Sequence, residues 1–314
     1  MKRLGAWDRR RRALVFLPML LLLCLQGCRT QEDAVAAAEQ MAVTSQAMRG
    51  YYAALERLTE KTVEVRRAQR MLLHGPPDPA SDERLAVRRA ELIKREALAR
   101  DVTRLAQLFG EIANSDAASE AAKSAEQLRQ DAVGLQLIAD NTEVQKGLQV
   151  AVTSLVNGLR ARDERKAARS LQPVLVALCS FFDSEKAAYE AVTTDFYTGA
   201  AANAVALIEA DQVSVAGEYR SSLQPFGLEP EITTPALKMA GREDLEAQVN
   251  RRLARLTQGS VDATEAMSEA LRRVAARVDT VAKGGPMRVR IPPLQVDTVK
   301  AWVAELQTLS GASL

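Results

Sequence analysis

An all-α, elongated bundle of about six or seven helices is the fold this sequence predicts, and three observations predict it. Apolar residues recur over long stretches in steps of three and four, the period of helices packed at a shallow angle. Clusters of proline and glycine punctuate those stretches. Strand-like runs are nearly absent from a chain rich in Ala, Leu, Arg, Glu and Gln, of which only 4% is aromatic.

The first expected helix covers 32–73. Its seam is Met41, Thr44, Met48, Tyr51, Leu55, Leu58, Thr62, Val65 and Leu72, with Gln69 in the remaining slot. The polar slots argue for a bundle helix over a strict coiled coil. Gly75-Pro76-Pro77-Asp78-Pro79 stops it, because three prolines and a glycine cannot continue a helix. Ser81 is the expected N-cap of a second helix over 82–113, with the stripe Leu98, Val102, Leu105, Phe109 and Ile112. Asn114-Ser115-Asp116 and Asp140-Asn141-Thr142 then separate a third helix, ending near 139, from a fourth ending near 170.

Pro173 marks the next boundary, as a first-turn proline or as a kink. The seam resumes with Leu171, Leu175, Leu178, Phe182, Tyr189, Val192 and Phe196, and Glu185 occupies one of its slots. A charge there requires a partner or a solvated rim. Gly199 is the expected place to bend or to pack closely on a neighbour. After the break Pro225-Phe226-Gly227-Leu228-Glu229-Pro230, Thr234-Pro235 signals a new helix over 236–283. Its seam is Val249, Leu253, Leu256, Ser260, Thr264, Met267, Leu271, Val274, Val278 and Val281, ended by Gly284-Gly285-Pro286. An extended segment over 287–291 leads to a last helix over 298–309, capped by Asp297 and carrying Val299, Trp302, Val303 and Leu306.

The N-terminus carries the most specific signal. Lys2, Arg3 and Arg9 to Arg12 precede thirteen uninterrupted apolar residues, 13–25. That run is short of the ~20 residues a spanning helix needs, and the pattern is that of a secretory signal. It ends in Leu25-Gln26-Gly27-Cys28, which resembles the lipobox of bacterial lipoproteins. The resemblance covers only this tail. It implies diacylglyceryl attachment to the Cys28 thiol, cleavage before Cys28 and acylation of the new amino terminus, with Gln26 departing from the small residue usual there. It thus implies a signal peptide over 1–27 and a lipidated anchor over 28–31; the helical seams then assign 32–314 to a helical bundle, with a division into two sub-bundles near 171 left open. Stable anchoring takes roughly two acyl chains. Arg29, where an Asp would favour retention in the inner membrane, points to the outer membrane and a periplasmic face.

Removing 1–27 takes six basic residues and one acidic residue from totals of 42 and 40. The remaining 36 and 39 give a formal charge of −3, which is no footprint for nucleic acid. Of three cysteines, Cys24 leaves with the signal and Cys28 is lipidated, so Cys179 has no intrachain disulfide partner and is expected to be buried. A single histidine, His74, excludes paired-histidine metal sites, and no nucleophile elbow or phosphate-cradling glycine loop accompanies it. No cofactor is expected.

These readings lead to a non-catalytic, lipid-anchored envelope scaffold or adaptor that meets a partner protein, or its own copies, through helical surfaces. The alternative is a periplasmic holdase or a carrier of an apolar ligand, which a cavity lined by Met41, Met48, Phe109, Phe181, Phe182 and Met267 would favour. The candidate contact residues are Phe226, Leu228 and Ile232, apolar side chains in a connecting loop. Capping of the bundle's own end is the competing role for them.

Overall fold

The computed structural model describes residues 6–113, 163–210, 220–228, 239–284 and 296–310, with side chains excepted at 6–30, 220–221, 239–242 and 309–310. Among the described residues there is no strand. Five helices carry the architecture: α1 (Ala6–Leu72), α2 (Pro79–Ala113), α3 (Glu164–Glu209), α4 (Met239–Lys283) and α5 (Val296–Ser310). A single helical turn, Arg220–Leu223, continues into a 3-10 turn, Gln224–Phe226. The fold is therefore all-α as expected, and the described residues hold five principal helices of the six or seven expected for the whole chain. The expected third helix and most of the fourth fall in 114–162, outside the described residues, as do Thr234-Pro235 and the extended segment 287–291.

α1 is the central element. It pairs most extensively with α2, lies against α3, and also touches α4 and α5, while α3 and α4 form a second close pair. Every seam position of α1 from Met41 to Val65 is buried. So are Ala37, Ala47, Tyr52, Ala54, Thr59 and Ala68, which the seam omitted. A helix with one neighbour buries one stripe, whereas α1 has four neighbours and buries a wider arc. The seams of α3 and α4 are buried as well, with Leu253 and Glu185 partly exposed. One continuous hydrophobic cluster joins all five helices and the 222–228 turn.

Three of the four buried threonines of α1 and α4 are satisfied locally, whereas the buried Thr44 hydroxyl has no hydrogen-bond partner among the described residues. Thr59, Thr62 and Thr264 donate to the carbonyls of Leu55, Leu58 and Ser260, at 2.9, 2.7 and 2.9 Å. A buried hydroxyl that bonds back one turn along its own helix carries no unpaired donor into the core.

Several helix ends depart from expectation. α2 starts at Pro79, not at 82, and its cap is Asp78, whose Oδ1 accepts from the Ser81 amide at 3.0 Å. Proline at the first helical position after an Asp cap is a strong start. Ser81 is instead buried inside α2, where its hydroxyl accepts from Arg66. α3 begins at Glu164 behind the N-cap Asp163, which accepts from the Lys166 amide at 2.9 Å. Pro173 therefore lies within α3, on an exposed face where water can serve the carbonyl left without its N–H partner. Asp297 is inside the first turn of α5, so its carboxylate complements the helix dipole and does not cap.

α1 ends in a Schellman motif. The Gly75 amide bonds the Arg70 carbonyl at 2.8 Å and the His74 amide bonds that of Met71 at 3.3 Å. The lone histidine of this motif has φ 48°, the left-handed conformation that glycine usually supplies. Gly227 and Gly284 occupy the same region at φ 71° and 66°.

Candidate functional site

Tyr51 is the hub of the core. Its ring lies 5.2 Å from Trp302, 5.8 Å from Phe182 and 5.9 Å from both Tyr52 and Tyr189, thereby joining α1, α3 and α5. The Thr264 hydroxyl hydrogen is committed to Ser260, so the Tyr51 hydroxyl donates to Thr264 Oγ1 at 2.7 Å. Thr193 likewise gives its hydrogen to the Glu190 carbonyl, and Ser260 Oγ donates to Thr193 Oγ1 at 2.7 Å. Burial raises the phenols of Tyr51, Tyr52 and Tyr197 well above the usual value, and that of Tyr189 to about 12.

Glu185, the charge in the α3 seam, accepts from Arg95 of α2 at 2.7 Å. The same guanidinium stands 5.7 Å over the Phe181 ring and 6.0 Å over that of Tyr189. This is a paired charge at the margin of the core, and it fastens α2 to α3. Asn203, buried, donates to the Val65 carbonyl at 2.9 Å and to Ser222 Oγ at 3.0 Å. It ties α3 to α1 and to the turn that follows. Gly199 approaches α1 closely, since a Cβ there would lie 3.1 Å from Val65 Cγ1.

Phe226 and Leu228 are buried in the chain's own core, at 2% and 3% exposure. Both belong to the core cluster, and the 3-10 turn that carries Phe226 touches α3, α4 and α5; Ile232 lies outside the described residues. The Cys28 side chain is also outside them. Cys179 is half-buried, not fully enclosed, and packs against the core margin. Burial first, and the Asp183 carboxylate second, push its thiol up to about 11. At neutral pH it is a poor nucleophile.

Met41, Met48, Phe109, Phe182 and Met267 are buried in the core and Phe181 is half-buried at its margin, and none of the six lines the groove that α1 forms with α5. The concave site is elsewhere. A groove of about 360 Å³ runs between α1 and α5, with Phe196 of α3 and Gln224 at its edge. Gly50, Ala53, Ala54 and Leu58 form its α1 wall, and Val303 and Leu306 form its α5 wall. Small side chains on α1 create the space. Sequence reasoning missed this site because Ala53 and Gly50 fall off the seam, and because Phe196 and Leu306 join α1 only through the tertiary fold.

No family model, characterised protein or solved structure matches the chain.

Among the described residues no group of three or more His, Cys, Asp or Glu side chains is placed to hold a metal ion. None of the described helices is long and apolar enough to cross a membrane, although the apolar run 13–25 is outside the described side chains.

Proposed function

We propose that the protein is a non-catalytic envelope protein, held by lipid on Cys28 at the periplasmic face of the outer membrane, that binds an apolar ligand in the α1–α5 groove. One observation carries this reading. The groove has the volume of a small-molecule site, about 360 Å³, and its walls are mostly apolar. Buried core residues, Ala54, Leu58, Phe196 and Leu306, border the groove. An elongated bundle of six or seven helices, some of them coiled-coil-like, is the architecture we propose for the whole chain.

The test is photolabelling of the purified full chain, in nanodiscs of zwitterionic lipid, with an apolar diazirine probe. Labelled peptides should map to 46–61 and 303–307. Labelling spread evenly over the helices would refute the reading.

A scaffold or adaptor role is the second reading. It is favoured by Leu73, Val87 and Ile93 of the α1–α2 hairpin, exposed at 69%, 55% and 51%. Such residues standing singly are ordinary on a protein surface, so the groove takes precedence. Crosslinking in intact cells through photoreactive residues at 87 and 93 would reveal a partner if this reading holds.

A further inference from the structure

Arg49, Ala53, Arg57 and Lys61 follow one another at four-residue spacing on the face of α1 that borders the groove. Arg49 is engaged by Glu96 at 2.9 Å, and Lys61 by Glu64 at 2.9 Å. Arg57 has no carboxylate partner among the described residues, and it stands beside Ala53, Ala54 and Leu58 of the apolar wall. Of the thirteen residues lining the groove, three are cationic, three are glutamines and none is acidic. The domain that follows residue 27 has a formal charge of −3 by composition. With Arg49 and Lys61 each matched by a glutamate, the uncompensated positive charge at the edge of the apolar floor is that of Arg57.

We propose that the groove takes a single-chain amphipathic anion, with its acyl chain on Leu58, Phe196, Val303 and Leu306 and its carboxylate or phosphate at Arg57. This rests on the reading of the groove as an apolar-ligand site and adds the headgroup to it. A guanidinium presents a planar fork of donors that matches either oxyanion. Arg49 lies ~12 Å away along α1 and Lys61 ~6 Å, at 1.5 Å per residue, so the two paired cations flank the head without competing for it. An acidic helix from a partner protein would fit the charge too. A stable protein interface, however, needs about 800 Å² from each side, more than a pocket of small-molecule size supplies.

Three diazirine probes with the same alkyl chain separate the possibilities: a carboxylate, a phosphate monoester and a neutral alcohol. The full chain in zwitterionic nanodiscs is labelled with each, and the label on 46–61 and 303–307 is quantified. One or both anions should label the groove about tenfold more efficiently than the alcohol, the scale of one charge-assisted hydrogen bond. Whichever anion is preferred identifies the head as carboxylate or phosphate. Arg57→Gln should abolish the preference without changing the melting temperature, and Arg57→Lys should retain part of it. Equal labelling by alcohol and anions, indifferent to Arg57→Gln, would overturn the headgroup assignment while leaving the apolar groove intact. Absence of groove labelling by all three would overturn both. Displacement of the probes by an acidic amphipathic peptide but not by unlabelled oleate would overturn the assignment in favour of a protein partner.

Discussion

Two faces of the same turns of α1 have opposite characters. On one, Met48, Tyr51, Tyr52 and Leu55 are fully buried, and aromatic rings from α3 and α5 close over Tyr51. On the other, Gly50, Ala53 and Arg57 look onto an unfilled groove, although α5 forms a wall of both regions. α3 and α5 border both regions, and the side chains that α1 presents are large on the first and small at Gly50 and Ala53 on the second. Large residues on the first face hold α5 in position, and small residues on the second leave space beneath it. Stability should therefore reside in the first face and binding in the second.

The largest effect expected of the filled face is alkaline unfolding. Tyr189 is pushed up to about 12, Tyr51, Tyr52 and Tyr197 are also raised by burial, and Cys179 is at about 11. Above the ordinary thiol and phenol values the unfolded chain loses protons that the folded chain keeps. Stability is then complete below about pH 9 and falls as pH rises through 10 to 12. Phenolate absorbance should rise together with loss of helical circular dichroism. Phenolate formation from these buried tyrosines with the helices intact would show that the core admits water.

Truncation comes next. Tyr51→Ala should cost about 3–5 kcal/mol by denaturant unfolding, as for other large buried aromatics. Tyr51→Phe, which removes only the bond to Thr264, should cost about 1 kcal/mol. A loss below 1 kcal/mol for Tyr51→Ala would mean that the packed face is not the seat of stability. Overfilling the approach of α3 to α1 should be milder. Gly199→Leu forces atoms into the space where a Cβ would already lie 3.1 Å from Val65, and should cost about 1–3 kcal/mol. A neutral result would show that α3 can shift away from α1.

The all-α class and the buried residues of α1, α3 and α4 were legible because heptad-like spacing is a local property. Positions such as Leu178 and Thr264 need only their own helix to be read. Ala47, Ala54 and Ala68 escaped because alanine carries little apolar signal, and their burial follows from the number of helices around α1. Glu185 was visible as an intruder in its seam, but Arg95, ninety residues away in sequence, was not visible as its partner. The groove was illegible for a related reason. It is defined by missing volume at Gly50 and Ala53 and by walls contributed from three helices. The loop residues Phe226 and Leu228 looked available because connecting segments are usually solvated, yet the turn folds them back under α4, where Gln248 donates to the Phe226 carbonyl at 3.3 Å.

The smallest effect concerns the end of α1, remote from both faces. His74 holds a left-handed conformation at a Schellman position. Replacing it by glycine relieves ~1 kcal/mol of backbone strain, part of which the more flexible unfolded chain takes back. His74→Gly should raise stability by a few tenths to 1 kcal/mol in denaturant melts. Destabilisation would reveal an interaction of the imidazole that its exposed position does not suggest.

The division of α1 into a filled and an open face is tested most directly by filling the second. Ala53→Trp places a large side chain at the groove wall of α1. Its melting temperature and its capture of the apolar photoprobe are measured side by side with the unmodified chain. An unchanged melting temperature is expected, with loss of labelling at 46–61 and 303–307. A marked fall in melting temperature with labelling retained would contradict that division, because the supposed opening would then be part of the packed core and the ligand would bind elsewhere.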